Sequence, residues 1–252
     1  MMIVVLILIF IVLSLLVGGD RTAKTLITLM FNAAVLFFSI AAIAVGLHPA
    51  AVAPAAIMLV ICITLFYQNE VNDKTKAAFI SIMIVAAVMT ILIFVFIYGG
   101  HLQGMSTVGQ SKIRESNGYS GSIGVNMSVI EVFVILMTLV GAVIDTAVAV
   151  ASGVYEVARH NPEQTRKELT RSGLKIGSSI LSSTVNTLLF IFAGEYLIMF
   201  INFAMYYSFE TMINSREFSQ GIINMIISAT ACIIVIPVTS YFAAHRFTVK
   251  ER

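Results

Sequence analysis

A chain of 252 residues that is 59% hydrophobic and only 11% charged, with a mean hydropathy of +0.97, cannot cover itself with the charged surface a soluble domain carries, which is about 25% charge. The formal net charge of +2 marks no partner class, and no basic, nucleic-acid-binding surface is visible. An all-α, polytopic transmembrane bundle embedded in lipid, with little mass outside the bilayer, is the expected fold.

The first run, 1–17, is apolar but lacks the basic leader of a signal peptide and a small-residue cleavage site. Arg21 and Lys24 follow it, which favours a retained helix with its N-terminus outside. A crossing takes about 20 mainly apolar residues, and further runs of that kind are 25–46, 51–67, 77–98, 127–155, 174–193 and 220–244. About seven spans result: an additional N-terminal helix within 1–24, then six in 25–252, all in one transmembrane domain. The piece Tyr196 to Phe209, with Asn202, Tyr206 and Tyr207, is short for a crossing and reads as an interfacial or re-entrant helix. Eight full spans is the alternative.

Basic residues orient the chain. Lys74 and Lys76 follow the third run, Arg159, Arg166, Lys167, Arg171 and Lys175 follow the fifth, and Arg246, Lys250 and Arg252 close the sequence. The connection Leu47 to Pro54 has no Lys or Arg, and the long segment 99–126 has only Lys112 and Arg114. Basic loops on the cytoplasmic side give an N-out, C-in protein of the bacterial inner-membrane type, provided residues 195–214 do not cross. In the segment Asn161-Pro162-Glu163-Gln164, Asn161 is placed to cap a short cytoplasmic helix that Gly173 ends. The Gly- and Ser-rich stretch Gly118 to Ser122 marks 99–126 as an external loop.

Asp145 carries the most information. It lies in the otherwise uncharged stretch Met127 to Tyr155, apart from Glu131 near the outer end. An ionised side chain at the bilayer centre costs roughly 2.5 kcal/mol or more, so such residues face protein or water. Thr138, Gly141, Ser152 and Glu156 share its helical face, a small and polar stripe that suggests a bundle-facing surface and a proton or cation site. The run 174–193 is the second unusual element, with Ser179, Ser182, Ser183 and Asn186 recurring on one face. Such hydroxyls serve either as packing glue, at about 0.6 to 2 kcal/mol per interhelical bond, or as the other wall of a polar seam against Asp145. Asn224, Ser228, Thr230 and Pro237 are weaker polar signals in the last run.

No catalytic or cofactor pattern stands beside these. Cys62 and Cys232 have no metal-ligand neighbours, and His48, His101, His160 and His245 lie near membrane edges. An aspartyl protease would need a second intramembrane Asp, whereas Asp20 and Asp73 fall in connections. The expectation is a protein that is not an enzyme and takes neither metal nor cofactor.

The stretch Gly141-Ala142-Val143-Ile144-Asp145-Thr146-Ala147-Val148-Ala149-Val150, with Tyr155-Glu156, resembles the membrane motif of the SecF protein-export subunits, and Ser178 to Leu189 is similar to their next helix. Over most of its length the chain resembles the YibE/YibF family of bacterial membrane proteins, on Gly141 to Glu156, Asn161-Pro162 and Ile236-Pro237-Val238-Thr239. The SecF likeness implies an RND-like six-helix half in which Asp145 matches a proton-relaying aspartate. The SecF arginine falls at Ser179, so the basic partner is absent and hydroxyl and amide groups of Ser179, Ser182 and Asn186 would take its place. No large external domain separates 25–46 from 51–67. A second RND-like, YibE-like subunit, or a homo-oligomer, would then complete the machine. Two readings stay open: a component of a proton- or ion-coupled transport complex, and a non-transporting subunit that positions a partner.

Overall fold

The computed structural model describes residues 2–99 and 127–249; the side chains of Met127, Arg216, Glu217 and Val249 are outside that description. The expectations for the loop 99–126 and for Lys250 and Arg252 therefore fall almost wholly outside the described residues. Every regular element among the described residues is helical. The elements are α1 (Met2–Ala44), α2 (Pro49–Cys62) continued by a π-helical turn (Ile63–Gln68), α3 (Asp73–Gly99), α4 (Met127–His160), α5 (Arg166–Glu195), α6 (Leu197–Tyr206), α7 (Phe209–Ile213) and α8 (Arg216–Val249). They fall into two compact units, Met1–Lys76 and Ala77–Arg252.

Among the described residues, six helices are long and apolar enough to cross a membrane. The expected first two spans lie in one of them: α1 has 43 residues, with a break at Gly19 (φ 55°, ψ −140°). That dihedral pair is open to glycine and strained for other residues. At 1.5 Å per residue α1 reaches roughly 65 Å, about two bilayer cores, and the break divides it into two lengths near those read from the sequence. Asp20 thus belongs to a helix rather than a connection.

In the first unit α1 and α2 are antiparallel, which a ladder of cross-helix contacts fixes. Lys24 Nζ meets Glu70 Oε1 at 2.6 Å, Gln68 Nε2 donates to Thr25 Oγ1 at 3.4 Å, and Asn32 Nδ2 donates to Thr64 Oγ1 at 3.0 Å. The Phe31 and Tyr67 rings meet edge to face at 5.8 Å. The far end is closed by a turn in which Gly46 takes φ 103°, and His48 caps α2 with Pro49 at its first position. The wide π turn places Thr64 opposite Asn32. The sequence reading missed this contact, although its signal was one amide, Asn32, and one hydroxyl, Thr64, in two apolar runs at matching antiparallel register.

In the second unit α3 buries a stripe of Ala78, Ile82, Val85, Met89 and Ile93, spaced by three and four residues. Helices α4, α5 and α8 pack on one another, and their directions follow from residue pairs. Gly153 approaches Ile176 and Gly173 approaches Val154, so α4 and α5 are antiparallel. Gly173 meets Ser240, Gly177 meets Ile236, and the Phe192 ring meets Phe218 at 6.4 Å, so α5 and α8 are antiparallel too. Cys232 reaches Thr146, and Tyr155 meets Phe247 at 5.3 Å, which makes α4 and α8 parallel.

Two local expectations are corrected here. Gly173 does not end a helix, because α5 runs unbroken from Arg166 to Glu195 and Gly173 sits inside it against α8. Asn161 and Pro162 lie in a turn, and Thr165 is the cap. Its hydroxyl accepts from the Glu168 N–H while Glu168 Oε2 accepts from the Thr165 N–H at 2.8 Å, a reciprocal capping box. The missed signal is Gly173-xxx-Gly177, the spacing that lets two membrane helices approach closely.

The piece after α5 forms the ten-residue α6 and the five-residue α7, neither of crossing length. Phe192, Tyr196, Phe200 and Phe218 cluster where α5 ends and α8 begins, with ring centroids 5.1 to 6.4 Å apart. Since α5 enters and α8 leaves at the same end, residues 196–215 make no net crossing.

Candidate functional site

Residues of α4 that meet its neighbours define its inner face: Val132, Leu139, Val143, Val150 and Val154 are buried. At 100° per residue, Asp145 lies nine residues from Val154 and so about 180° round the helix. Val134, Thr138, Gly141, Asp145 and Glu156 are the exposed residues of this face, and Ser152 is half-buried on it. The stripe is therefore continuous but does not face the bundle: it points away from α5, and its Asp145 stands to the side of α8, within electrostatic reach of the buried Cys232 thiol. A Cβ added at Gly141 would meet nothing within 4 Å. Thr138 spends its hydroxyl on the Val134 carbonyl at 3.0 Å. Asp145 makes no hydrogen bond or ion pair among the described residues, so its carboxylate is left for whatever covers this face.

The hydroxyl run of α5 behaves in the same way. Gly173 and Gly177 face α8 so closely that a Cβ at Gly173 would lie 2.6 Å from Ser240 Oγ, and one at Gly177 would overlap Ile236. Ser182 is nine residues, about 180°, from Gly173. Ser179, Ser182, Ser183 and Asn186 are all exposed on the outward face. Ser179 donates to the Lys175 carbonyl at 3.3 Å. Close packing of α5 is thus the work of its glycines, and the hydroxyls are turned outward. Within the chain the two stripes are each assembled but not joined: none of Ser179, Ser182 or Asn186 bonds to Asp145 among the described residues.

The ends of the three-helix unit differ in charge. Arg159, Arg166, Lys167, Arg171, Lys175 and Arg246 all fall at the end where α4 and α8 finish and α5 starts. The Arg166 guanidinium stacks over the Tyr241 ring at 4.3 Å, which ties α5 to α8 there. In the first unit Arg21, Lys24, Lys74 and Lys76 flank the Lys24–Glu70 pair, at the end opposite the Leu47–His48 turn. Lys24 beside it holds the Glu70 carboxyl below its usual range, by hydrogen bond first and charge second.

Other chemistry is sparse. The described residues hold no group of three or more His, Cys, Asp or Glu able to bind a metal ion. A groove of about 520 Å³ between α1 and α2, lined by Phe31, Phe38, Ala42, His48, Ala55 and Leu59 among others, is almost wholly apolar. In α8 the buried Ser228 and Thr239 hydroxyls and the Asn224 Oδ1 have no partner, beside the buried Cys232.

Comparison with curated proteins and with solved structures returns no match. A helical protein of several membrane-crossing lengths, with an intramembrane carboxylate on an outward polar stripe, fits the one comparison that does match. That family model, described as YibE/F-like protein, covers residues 6–249, and the chain belongs to the YibE/F-like family.

Proposed function

We propose that this protein is the membrane component of a proton- or ion-coupled transport or export complex, with Asp145 as the titrating group. One observation carries the reading: a carboxylate near the middle of a membrane-length helix is exposed, on a stripe of small and polar residues, with no hydrogen bond or ion pair among the described residues. Lipid is a poor neighbour for that stripe, whereas a protein partner or a hydrated passage accommodates it. Gly141 and Ala149 leave room for close approach. The preferred partner is a second RND-like subunit of the YibE type, with a second copy of this chain as the alternative. The outward Ser179, Ser182, Ser183 and Asn186 would extend the shared surface. The excess of Lys and Arg over Glu156, Glu163 and Glu168 at the end shared by α4, α5 and α8 supports a cytoplasmic assignment for that end, hence N-out and C-in in an inner-type membrane. No step of this reading calls for catalysis, a metal or a cofactor.

The alternative reading, a non-transporting subunit with Asp145 as a polar pin, rests on the same outward carboxylate. Asp145→Asn separates the two. In vesicles made from native membranes, proton uptake is followed with a pH-sensitive dye, and assembly is followed by crosslinking from Ala149→Cys. Coupling predicts loss of uptake with crosslinking intact. Loss of crosslinking alongside an unchanged uptake background would favour the pin, and a native monomer that transports unaided would refute the half-complex.

A further inference from the structure

Most hydroxyls in these helices are satisfied locally. Thr28, Ser81, Thr90, Thr146, Thr184, Thr230 and Ser240, for example, each donate to the carbonyl four residues earlier, at 2.7 to 3.1 Å. Ser228 and Thr239 break the pattern: both are fully buried, and neither hydroxyl has a partner among the described residues. Asn224 Oδ1 is buried and unpartnered as well. The three lie on one face of α8, at spacings of four and eleven residues, and Cys232 lies between them on that face. This face meets α4, where Cys232 lies beside Thr146 and within electrostatic reach of Asp145.

Leaving such groups without partners is costly, so buried polar atoms in native proteins are paired with protein or with bound water. The spacing suits water. Side chains four residues apart on a helix have Cβ atoms about 5–6 Å apart, the distance one water bridges with two hydrogen bonds of about 2.8 Å. Asn224 Oδ1 accepts from that water and the Ser228 hydroxyl supplies a second anchor; buried waters make roughly 2–4 such bonds. Thr239 is a lone buried hydroxyl about 16 Å further along the helix at 1.5 Å per residue, with Cys232 between it and Ser228.

We propose that the α4–α8 interface holds bound water at Asn224 and Ser228 and again at Thr239, a hydrated thread inside the three-helix unit on a face of α8 whose Cys232 also lies within electrostatic reach of Asp145. The thread opens the core of the unit to exchange with solvent. It rests on the unpartnered atoms of α8 and not on titration of Asp145.

Cys232 reports on the thread directly. In a Cys62→Ala background it is the sole thiol, and its S–H stretch lies in an uncluttered region of the infrared spectrum. On transfer of the reconstituted protein to D2O, the S–H band is expected to convert to S–D while the backbone amides of α8 stay protected. Ser228→Ala, alone and with Asn224→Leu, should slow that conversion by about tenfold, the size expected for removing a hydrogen-bonding anchor. Ser240→Ala, whose hydroxyl is already satisfied by Ile236, should leave it unchanged. Single Ser228→Ala keeps the test valid if the double variant fails to fold. A thiol that stays S–H as long as the core amides, or exchange indifferent to Ser228, would overturn the proposal. So would exchange that depends on Asp145→Asn rather than on Ser228. Loss of proton uptake in Asp145→Asn with Cys232 exchange intact would separate this thread from the coupling role of Asp145.

Discussion

Gly173 sits where three helices meet, and replacing it tests the packing of the second unit. An alanine Cβ there would lie 2.6 Å from Ser240 Oγ, 2.7 Å from Val154 Cγ2 and 2.8 Å from Ser240 Cβ. Carbon atoms in contact sit about 3.5–4.0 Å apart, so α4 and α8 must both yield by close to an ångström. Overpacking of that kind costs about 1–3 kcal/mol. The helix propensity gained on replacing Gly by Ala returns up to ~1 kcal/mol. Gly141→Ala supplies the reference, because it gains the same propensity with nothing within 4 Å. The difference between the two variants isolates the packing, and Gly173→Ala should be less stable than Gly141→Ala by about 1–3 kcal/mol. Gly173→Val should widen that gap. Reversible unfolding of the purified chain in mixed micelles, titrated with a denaturing detergent, measures it. Equal stability of Gly173→Ala and Gly141→Ala would refute the close α4–α5–α8 junction.

Gly19→Ala places a side chain at φ 55°, ψ −140°, a region that costs an L residue about 1–3 kcal/mol; spin labels either side of the break should report a straighter or reoriented α1, and unchanged distances would argue against the break. Thr165→Ala removes the cap of α5 and should cost about 0.5–2 kcal/mol, read as loss of amide protection confined to the first turn; protection unchanged at Glu168 would count against the capping box. Glu70 has its carboxyl lowered by Lys24, so its pairing contributes above the unfolded carboxylate range and fades as pH falls through the lowered folded value. Lys24→Met should return Glu70 to the usual range in a carboxyl titration, and an unmoved titration would mean that the pair is not the cause.

The runs of apolar residues reported the crossing segments because hydropathy is a local property that any bilayer-spanning helix must satisfy. The same holds for the shortness of 196–209 and for the shared face of Thr138, Asp145 and Ser152, which periodicity alone fixes. What meets that face is not local. Helical spacing says that Asp145 and Ser152 look the same way; it does not say that Val154, half a turn round, is the residue that meets α5. Gly173 shows the opposite confusion. A glycine after a basic cluster reads as a helix end, yet the same residue in a membrane helix permits close approach, and only its neighbour on α8 decides between them. Asn32 escaped notice because one amide in a 22-residue apolar run gains meaning only from Thr64 across the hairpin.

The ten-residue α6 is exposed and mainly apolar, with Leu197, Ile198, Ile201 and Met205 each more than half exposed and the Asn202 amide donating back to the Ile198 carbonyl at 2.9 Å. Held by the aromatic cluster at the end of α5 and α8, it has the length to enter one leaflet and no more. The two halves of the bilayer therefore do not see the same protein: the leaflet away from the basic end must accommodate an additional apolar rod beside the three packed helices. Lipids that α6 displaces there have no counterpart displaced by it opposite. Partition between flat and curved vesicles is therefore expected to respond when Leu197, Ile198, Ile201 and Met205 are replaced by alanine, and partition unmoved by those replacements would refute it.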